Sequence, residues 1–400
     1  MSRKRSAVNH EVMHEINRGI VLSSLRRRPA QTRAKLANRT GLTRSAISYI
    51  TDKLIQNDIV HEVGFEESTG GRRGILLELN PDGASAIALK INASAVQCAL
   101  TNLLGEVLWY DLVALDTTEV DYVLDICEGL INCAFEKNRE RRSVVGIGVV
   151  VTGVIGADGR VVYSKYMNWK DVDLRACWER KFGVKVSVDN EVNGATVGEN
   201  HYGSAIQDRN FIYIEIGHGL GGGIVIDGQL YRGSRGFSGE IGFMTILCDS
   251  GNGNLSAKSW QSLVSISSYM NIARRRILDG ADSKLDSQSL TLKRLIDALR
   301  CGDDVALYGM REMCKYLGIG IANLVNSFDI TVFIIGGELG KEFSAFLPHL
   351  HDEIDRYTVV MPPHGIDLRI SKLTPDPALM GAVAQVFDDT LREPALSVGP

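Results

Sequence analysis

The chain has 400 residues, 44% of them apolar, and a formal net charge of −4, which fits about two or three globular domains with sizeable cores. Its longest apolar run, Val144–Ile155, is too short and glycine-broken to span a bilayer, and the basic N-terminus has no apolar h-region after it. Seven cysteines form no CxxC pair, so a disulfide-framed secreted fold is excluded and the expected setting is the cytoplasm with reduced thiols.

Charge is unevenly spread. Residues 1–73 hold fourteen Lys and Arg against seven Asp and Glu, whereas the remainder holds thirty against forty-one. A basic head on an acidic body suits a polyanion-binding module joined to a larger domain. Within the head, Asn17–Arg28 carries Ile20, Val21 and Leu25 on one helical face and stops at Pro29. Thr32 is placed to cap a second helix that ends at Gly41, and Thr43 to cap a third running from Arg44. In that third helix Ile47, Ile50, Leu54 and Ile55 face inward, while Arg44, Ser45, Ser48, Tyr49 and Asp52 face outward. This is the pattern of a helix-turn-helix whose last helix enters a major groove. A strand at Ile59–Val63, a loop through Gly70-Gly71-Arg72-Arg73 and a strand at Ile75–Leu79 add a wing, with Arg72 and Arg73 able to reach phosphates or a minor groove. The bland alternative is a small helical bundle that binds protein. Asn80-Pro81-Asp82-Gly83 marks the linker.

From Ala84 the texture becomes α/β. Strands are expected at Ala86–Ile91, Val96–Thr101 and Glu106–Tyr110, a helix at Val120–Asn138, a buried strand at Val144–Val151, a helix ending at Phe182 and a strand at Val184–Val188. Asp189-Asn190-Glu191-Val192-Asn193 then stands at a strand's C-terminal end, where open α/β sheets place ligands. Asn190 and Glu191 can bind sugar hydroxyls, and they serve equally well to cap the next helix. Between Ile212 and Phe243 there are ten glycines, in a strand, a tight turn from Gly217 to Gly223, a second strand and an Asp227-Gly228 hairpin. That turn can cradle a phosphate or sugar on backbone N–H groups, or it can be a loose hairpin loop. Helices are expected at Ala257–Leu278, Ser289–Arg300, Val305–Ser327 and Pro377–Leu391, with a strand at Thr331–Ile335 leading to Gly336-Gly337.

Taken together these pieces resemble the ROK (repressor, open reading frame, kinase) family over nearly the whole chain. The motifs are the winged head with Gly-Gly-Arg-Arg, Gly146-Ile147-Gly148 with Thr152-Gly153, Asn190-Glu191-x-Asn193, the Gly217–Gly223 turn, Gly239-Glu240-Ile241-Gly242 and Ile334-Ile335-Gly336-Gly337. Asn168-Trp169-Lys170-Asp171, Asn190-Glu191 and Leu230-Tyr231-Arg232-Gly233 are most similar to the xylose-repressor branch. The resemblance implies an α/β fold: an N-terminal winged helix-turn-helix at 1–80, then a two-lobed actin-like (ribonuclease H-like), sugar-kinase-type domain. Its first lobe is expected at 81–191 with the C-terminal helix 376–400, and its second at 192–375. Sugar would lie in the cleft between the lobes, and the body would be a homodimer or homotetramer.

Departures from the family's kinases shape the functional expectation. Lys90 and Asn92, with Ser94 near, stand where the first phosphate loop has an Asp and a Gly, and a lysine cannot organise Mg²⁺. Glu191 replaces the catalytic Asp, moving its acceptor by about 1 Å or more. His218 replaces Thr, and Phe243 replaces a histidine that serves sugar and structural zinc. The zinc loop is reduced to Cys248-Asp249-Ser250-Gly251-Asn252-Gly253-Asn254, and Ser256 replaces an acid that follows it. The expectation is therefore a repressor with no catalytic residues, no metal and no cofactor. It would bind a palindromic operator through Thr43, Arg44, Ser45, Ser48, Tyr49, Arg72 and Arg73. It would bind a sugar, xylose by branch, through Thr152, Gly153, Asn168, Trp169, Asn190, Glu191, Glu240 and Phe243. No membrane is involved, and the protein would join the nucleoid when on DNA. The competing readings are an active ATP-dependent sugar kinase with a DNA-binding head, and a repressor that has lost its ligand.

Overall fold

Capping chemistry sets the head in the computed structural model, which describes residues 10–67, 73–139, 143–156, 158–249, 255–358 and 365–392. Helix α1 (His10–Arg27) starts seven residues before the expected Asn17. It buries Val21, Leu22 and Leu25, but Ile20, expected on the inner face, is 39% exposed. A short strand β1 (Gln31–Thr32) leads into α2 (Arg33–Thr40), whose N-cap Thr32 accepts the Lys35 N–H at 3.3 Å. Gly41, at φ +71°, closes α2 in the left-handed region, where only glycine is at ease. Thr43 then caps α3 (Arg44–Gln56) through the Ala46 N–H at 3.2 Å, with Ile47, Ile50 and Leu54 buried. Strands β2 (Val60–Phe65) and β3 (Ile75–Leu79) pair antiparallel, and β1 adds to β3, giving the sheet order β1-β3-β2 of a winged helix. Arg33 fastens the pieces: it donates to Thr51 Oγ1 at 3.0 Å and to Asp52 at 2.8 Å, and lies 3.6 Å from Glu62.

The chain divides into two units, one reaching to Tyr202 and resuming at Thr374, the other Gly203–Leu373. A single 3-10 turn, Pro81–Gly83, joins the head to the first sheet. That sheet has the order β11-β7-β4-β5-β6. The antiparallel strands β4 (Ser85–Ile91), β5 (Ala95–Asn102) and β6 (Val107–Ala114) come first. Helix α4 (Val120–Lys137) and strand β7 (Val144–Val151) follow. A small sheet of β8 (Val154–Ile155), β9 (Val161–Ser164) and β10 (Trp169–Val172) precedes α5 (Leu174–Phe182), β11 (Lys185–Asn190) and α6 (Glu191–His201). Strands β4, β7 and β11 run parallel and are covered on both faces, which is why Val144–Val151 reads as a continuous apolar run rather than an alternating one. The C-terminal helix, Pro377–Arg392, packs on this sheet and on α6.

The second unit repeats the topology. Strands β12 (Phe211–Ile216), β13 (Leu220–Ile226) and β14 (Gln229–Leu230) form its antiparallel part, with an Asp227-Gly228 hairpin at φ +54° and +79°. The ribbon β15 (Thr245–Asp249) and β16 (Leu255–Ser259) precedes the helices α7 (Ile266–Leu278), α8 (Leu292–Arg300) and α9 (Asp304–Phe328). Strand β17 (Val332–Gly336), helix α10 (Leu347–Asp355) and strand β18 (Asp367–Ile370) complete a sheet ordered β14-β13-β12-β17-β18. Residues 257–259, expected to begin a long helix, are strand instead: they pair with Thr245–Leu247, and the helix starts only at the Ser265 cap.

Close backbone approaches fix the packing of the C-terminal helix. A Cβ on Gly148 would collide with the Ala382 carbonyl, one on Gly198 with the Pro377 carbonyl, and one on Gly381 with the Gly194 carbonyl. Gly381→Ala is therefore expected to cost about 3 kcal/mol of folding stability, because backbone rather than a movable side chain stands in the way; urea unfolding followed by circular dichroism measures it.

Candidate functional site

The head presents a polar first turn. Thr43, Arg44, Ser45 and Tyr49 of α3 are exposed, and Ser48 is half-buried. The Thr43 hydroxyl is committed to its cap and lies 3.1 Å from Ser45 Oγ, so the first turn is rigid. The α3 first turn contains no acid to repel a phosphate. Tyr49 is 54% exposed and its ring lies 5.6 Å from that of His14 on α1. Asp52, placed outward from sequence, is exposed and pairs with Arg33 at 2.8 Å. Arg73 is exposed at the foot of β3; Arg72 lies outside the described residues.

In the first unit, three strand ends gather a polar cluster. Asn190 accepts the Val192 N–H at 2.8 Å and donates to the Gly153 carbonyl at 2.7 Å, so it both caps α6 and anchors the loop after β7. Gly153 sits at φ +144° with the Tyr163 carbonyl 2.6 Å from where a Cβ would be. Glu191 opens α6; burial pushes its carboxyl above the ordinary value, while Lys90 and a hydrogen bond with Thr152 pull it back. Lys90 ion-pairs with Asp376 at 2.8 Å, and both side chains are largely buried. Asp376 in turn accepts the Ala378 N–H at 2.9 Å and the Leu379 N–H at 3.2 Å, capping the C-terminal helix. Asn92 folds its side chain onto the Ser94 and Ala95 N–H groups, both at 3.0 Å, so this loop satisfies itself rather than holding open donors for a phosphate. Asn168 is exposed at φ +54°. Trp169 is 1% exposed, and its indole N–H donates to the Thr118 carbonyl at 2.8 Å, which places it in the lobe's core rather than on a ligand-facing surface.

The second unit changes the meaning of the glycine run. Only Gly217-His218-Gly219 is a turn; Gly221, Gly222 and Gly223 lie within β13. A Cβ on Gly239 would strike the Gly222 carbonyl, one on Gly242 the Leu220 carbonyl, and one on Gly222 the Ile241 side chain. These glycines let the segment through Glu240 lie flat on the strand. Glu240 and Phe243 are both exposed, Phe243 at 65%. Cys248 and Ser256 face each other across the β15–β16 ribbon, with Cys248 Sγ 3.4 Å from the Ser256 carbonyl; residues 250–254 lie outside the described residues. One thiol, one hydroxyl and a phenyl ring do not supply a tetrahedral zinc site. Among the described residues no group of three His, Cys, Asp or Glu could hold a metal, and no helix is long and apolar enough to cross a membrane.

A small helical head with a three-stranded sheet precedes two α/β sheets that repeat one topology, the fold of sugar-kinase-like proteins. The profile of the ROK family matches residues 86–388, and the chain belongs to that family. It is 30% identical over 398 residues to a xylose repressor of Caldicellulosiruptor bescii, an alignment spanning 96% of this chain and 99% of that one. It is 26% identical over 307 residues to a glucokinase of Halalkalibacterium halodurans, spanning 74% of this chain and 92% of that one. Its fold matches the crystal structure of a ROK family transcriptional regulator described as a homolog of E. coli Mlc, with a TM-score of 0.80, 24% identity and coverage of 95% and 98%.

Sequence reasoning missed Asp376, the partner of Lys90. Its signal was present as an Asp-Pro pair ahead of an amphipathic helix, which marks a cap, although nothing local announces an ion pair across 286 residues. It named Asp189 in the strand-end cluster but missed its structural role: Asp189 is buried and accepts from Gln385 at 2.7 Å and Asn193 at 2.9 Å, holding the strand end in shape. Because Glu191 titrates above its ordinary 4.5 in the folded chain, the native state holds a proton that the unfolded state has lost. Stability contributed by that proton is present below pH 4.5 and declines as pH rises through the folded value. Glu191→Gln is expected to remove this decline and to unfold at a higher urea concentration at pH 7; urea midpoints from pH 4 to 8 measure both.

Proposed function

We propose that this chain is a sugar-responsive transcriptional repressor of a sugar-utilisation operon, with a kinase-derived effector domain that transfers no phosphate. The observation that carries this reading is the Lys90–Asp376 ion pair at the end of β4, in a chain whose head is a winged helix. Phosphoryl transfer is mainly positioning and charge stabilisation by metal and donors. An ammonium paired with a helix-capping acid gives Mg²⁺ no ligand, and the adjoining Asn92 turn keeps its side-chain acceptor for itself. The near-complete coverage of a xylose repressor, head included, supports the same reading and favours xylose as effector.

In this mechanism two heads of a homodimer occupy successive major grooves of a palindromic operator. Thr43, Arg44, Ser45, Ser48 and Tyr49 meet the groove, and Arg72 and Arg73 of the wing reach the backbone. Sugar hydroxyls are recognised in the first unit by Asn190 and Glu191, with Thr152, Gly153 and Asn168 beside them. Asn190 has its amide committed to Gly153, so its role is to hold the strand end as much as to meet ligand. Trp169 supports the site from behind. Glu240 and Phe243 remain sugar candidates on the family resemblance. Sugar shifts DNA affinity by binding one conformation better than the other, a coupling of ~1–3 kcal/mol, or about 5- to 150-fold.

The test is a mobility shift of the purified chain on its upstream DNA with and without D-xylose or D-glucose, beside an ATP phosphotransfer assay on both sugars. The expected outcome is a sugar-dependent shift and no turnover; enzyme-like turnover overturns the inactive-domain reading. Arg44→Ala is expected to weaken operator binding by ~1–3 kcal/mol, a factor of about 5 to 150, with sugar binding by calorimetry unchanged.

A further inference from the structure

Two helices of the first unit begin at the polar cluster and end at the head. Helix α6 starts at Glu191 and finishes at His201, about 16 Å along its axis. The C-terminal helix starts from its cap, Asp376, which holds Lys90, and carries Asp388 in its last turns. The two are in backbone contact where Gly194 and Gly198 meet Pro377 and Gly381, leaving no side chain between them to slip. At their far ends His201 and Asp388 meet Arg26, in the last turn of α1. Arg26 donates to His201 Nδ1, and its guanidinium lies 3.7 Å from Asp388. His201 Nε2 lies 3.3 Å from Asp388, so these partners select the tautomer with the proton on Nε2. The guanidinium also lies 5.8 Å from the centre of the Tyr202 ring. Helix α1 itself packs on α2, α3 and β3 of the winged helix.

We propose that the Arg26–His201–Asp388 cluster is the joint through which a change at Lys90, Glu191 and Asp376 reaches the DNA-binding head. The proposal deepens the repressor reading and rests on it for its biological meaning. Its physical content is the character of the contact. An apolar interface tolerates small sliding, whereas a directional, charge-assisted network does not. Among the described residues Arg26 Nε and the Tyr202 hydroxyl are buried without a hydrogen-bond partner, so the network is only partly satisfied and a small helix displacement changes which bonds it makes. Lys90 and Arg26 grip opposite ends of the C-terminal helix through Asp376 and Asp388, so that helix cannot shift without one grip yielding.

Amide hydrogen exchange on the full chain tests the joint without any ligand. Asp388→Asn and Arg26→Gln are each expected to speed exchange in α1 about tenfold while β4 and β7 keep their protection. Lys90→Met, at the other end, is expected to speed exchange in α1 as well, and to add nothing in the Asp388→Asn background. Unchanged α1 exchange in Arg26→Gln and Asp388→Asn, or simple addition of the Lys90→Met and Asp388→Asn effects, overturns the proposal. If Asp388→Asn loses protection throughout the sheet, Arg26→Gln alone decides it, with Lys90→Met combined in that background. With D-xylose and D-glucose as probes, Asp388→Asn is expected to bind DNA and sugar yet lose at least about fivefold of the sugar-dependent change in DNA affinity. A wild-type chain that binds neither DNA nor sugar sinks the repressor reading and leaves the exchange result to judge the joint.

Discussion

Lys90 places a positive charge at the end of a central strand, largely out of water, where an unpaired ammonium would be costly. Asp376 meets that cost, and the same carboxylate caps the C-terminal helix. One acid therefore serves two purposes: it neutralises the lysine and fixes where the helix begins. The position of that helix then sets much of the first unit, since it lies against β4, β7, β11 and α6 at distances that several glycines permit. Glu191 shares the same electrostatic setting. Its carboxyl is disfavoured by burial and made tolerable by the nearby ammonium. Lys90 thus serves as a structural cation at this strand end.

The two units show how one topology can be held by different means. In the first, a helix returning from the far end of the chain closes the sheet through glycine contacts and a capping ion pair. In the second, α9 runs through a core that includes Met310, Met313, Leu317 and Ile321, and Trp260 fills the space above Gly320. Arg369 fastens the edge of that sheet by bridging Asp367 and Asp208.

Most of the fold was legible because its elements carry local signals. Thr32, Gly41 and Thr43 punctuate the head through caps that act within four residues, and Val144–Val151 announces a strand buried on both faces. Failures came where local preference was overridden or silent. The start of α1 is an exception: Val12, Met13, Ile16 and Ile20 recur at helical spacing and were passed over, and Met13, Ile16 and Ile20 are exposed. Ala257–Ser259 was read into a helix because its strand state comes from pairing with Thr245–Leu247, a tertiary effect. Of the site, the strand-end cluster Asn190-Glu191 was visible, as was the oddity of Lys90. Its partner was not, and neither was the Arg26–His201–Asp388 contact, in which Arg26 and His201 alone are 175 residues apart. The core role of Trp169 was hidden because a tryptophan beside a polar loop reads the same whether it faces ligand or core.

Gly222, Gly239 and Gly242 show how packing alone can fix a glycine pattern. Each of these glycines is demanded by a neighbouring atom of the protein itself, and a side chain at any of them meets that neighbour whether or not nucleotide is ever bound. The glycine pattern of this segment therefore reports how its backbone packs, and by itself says nothing of a bound phosphate.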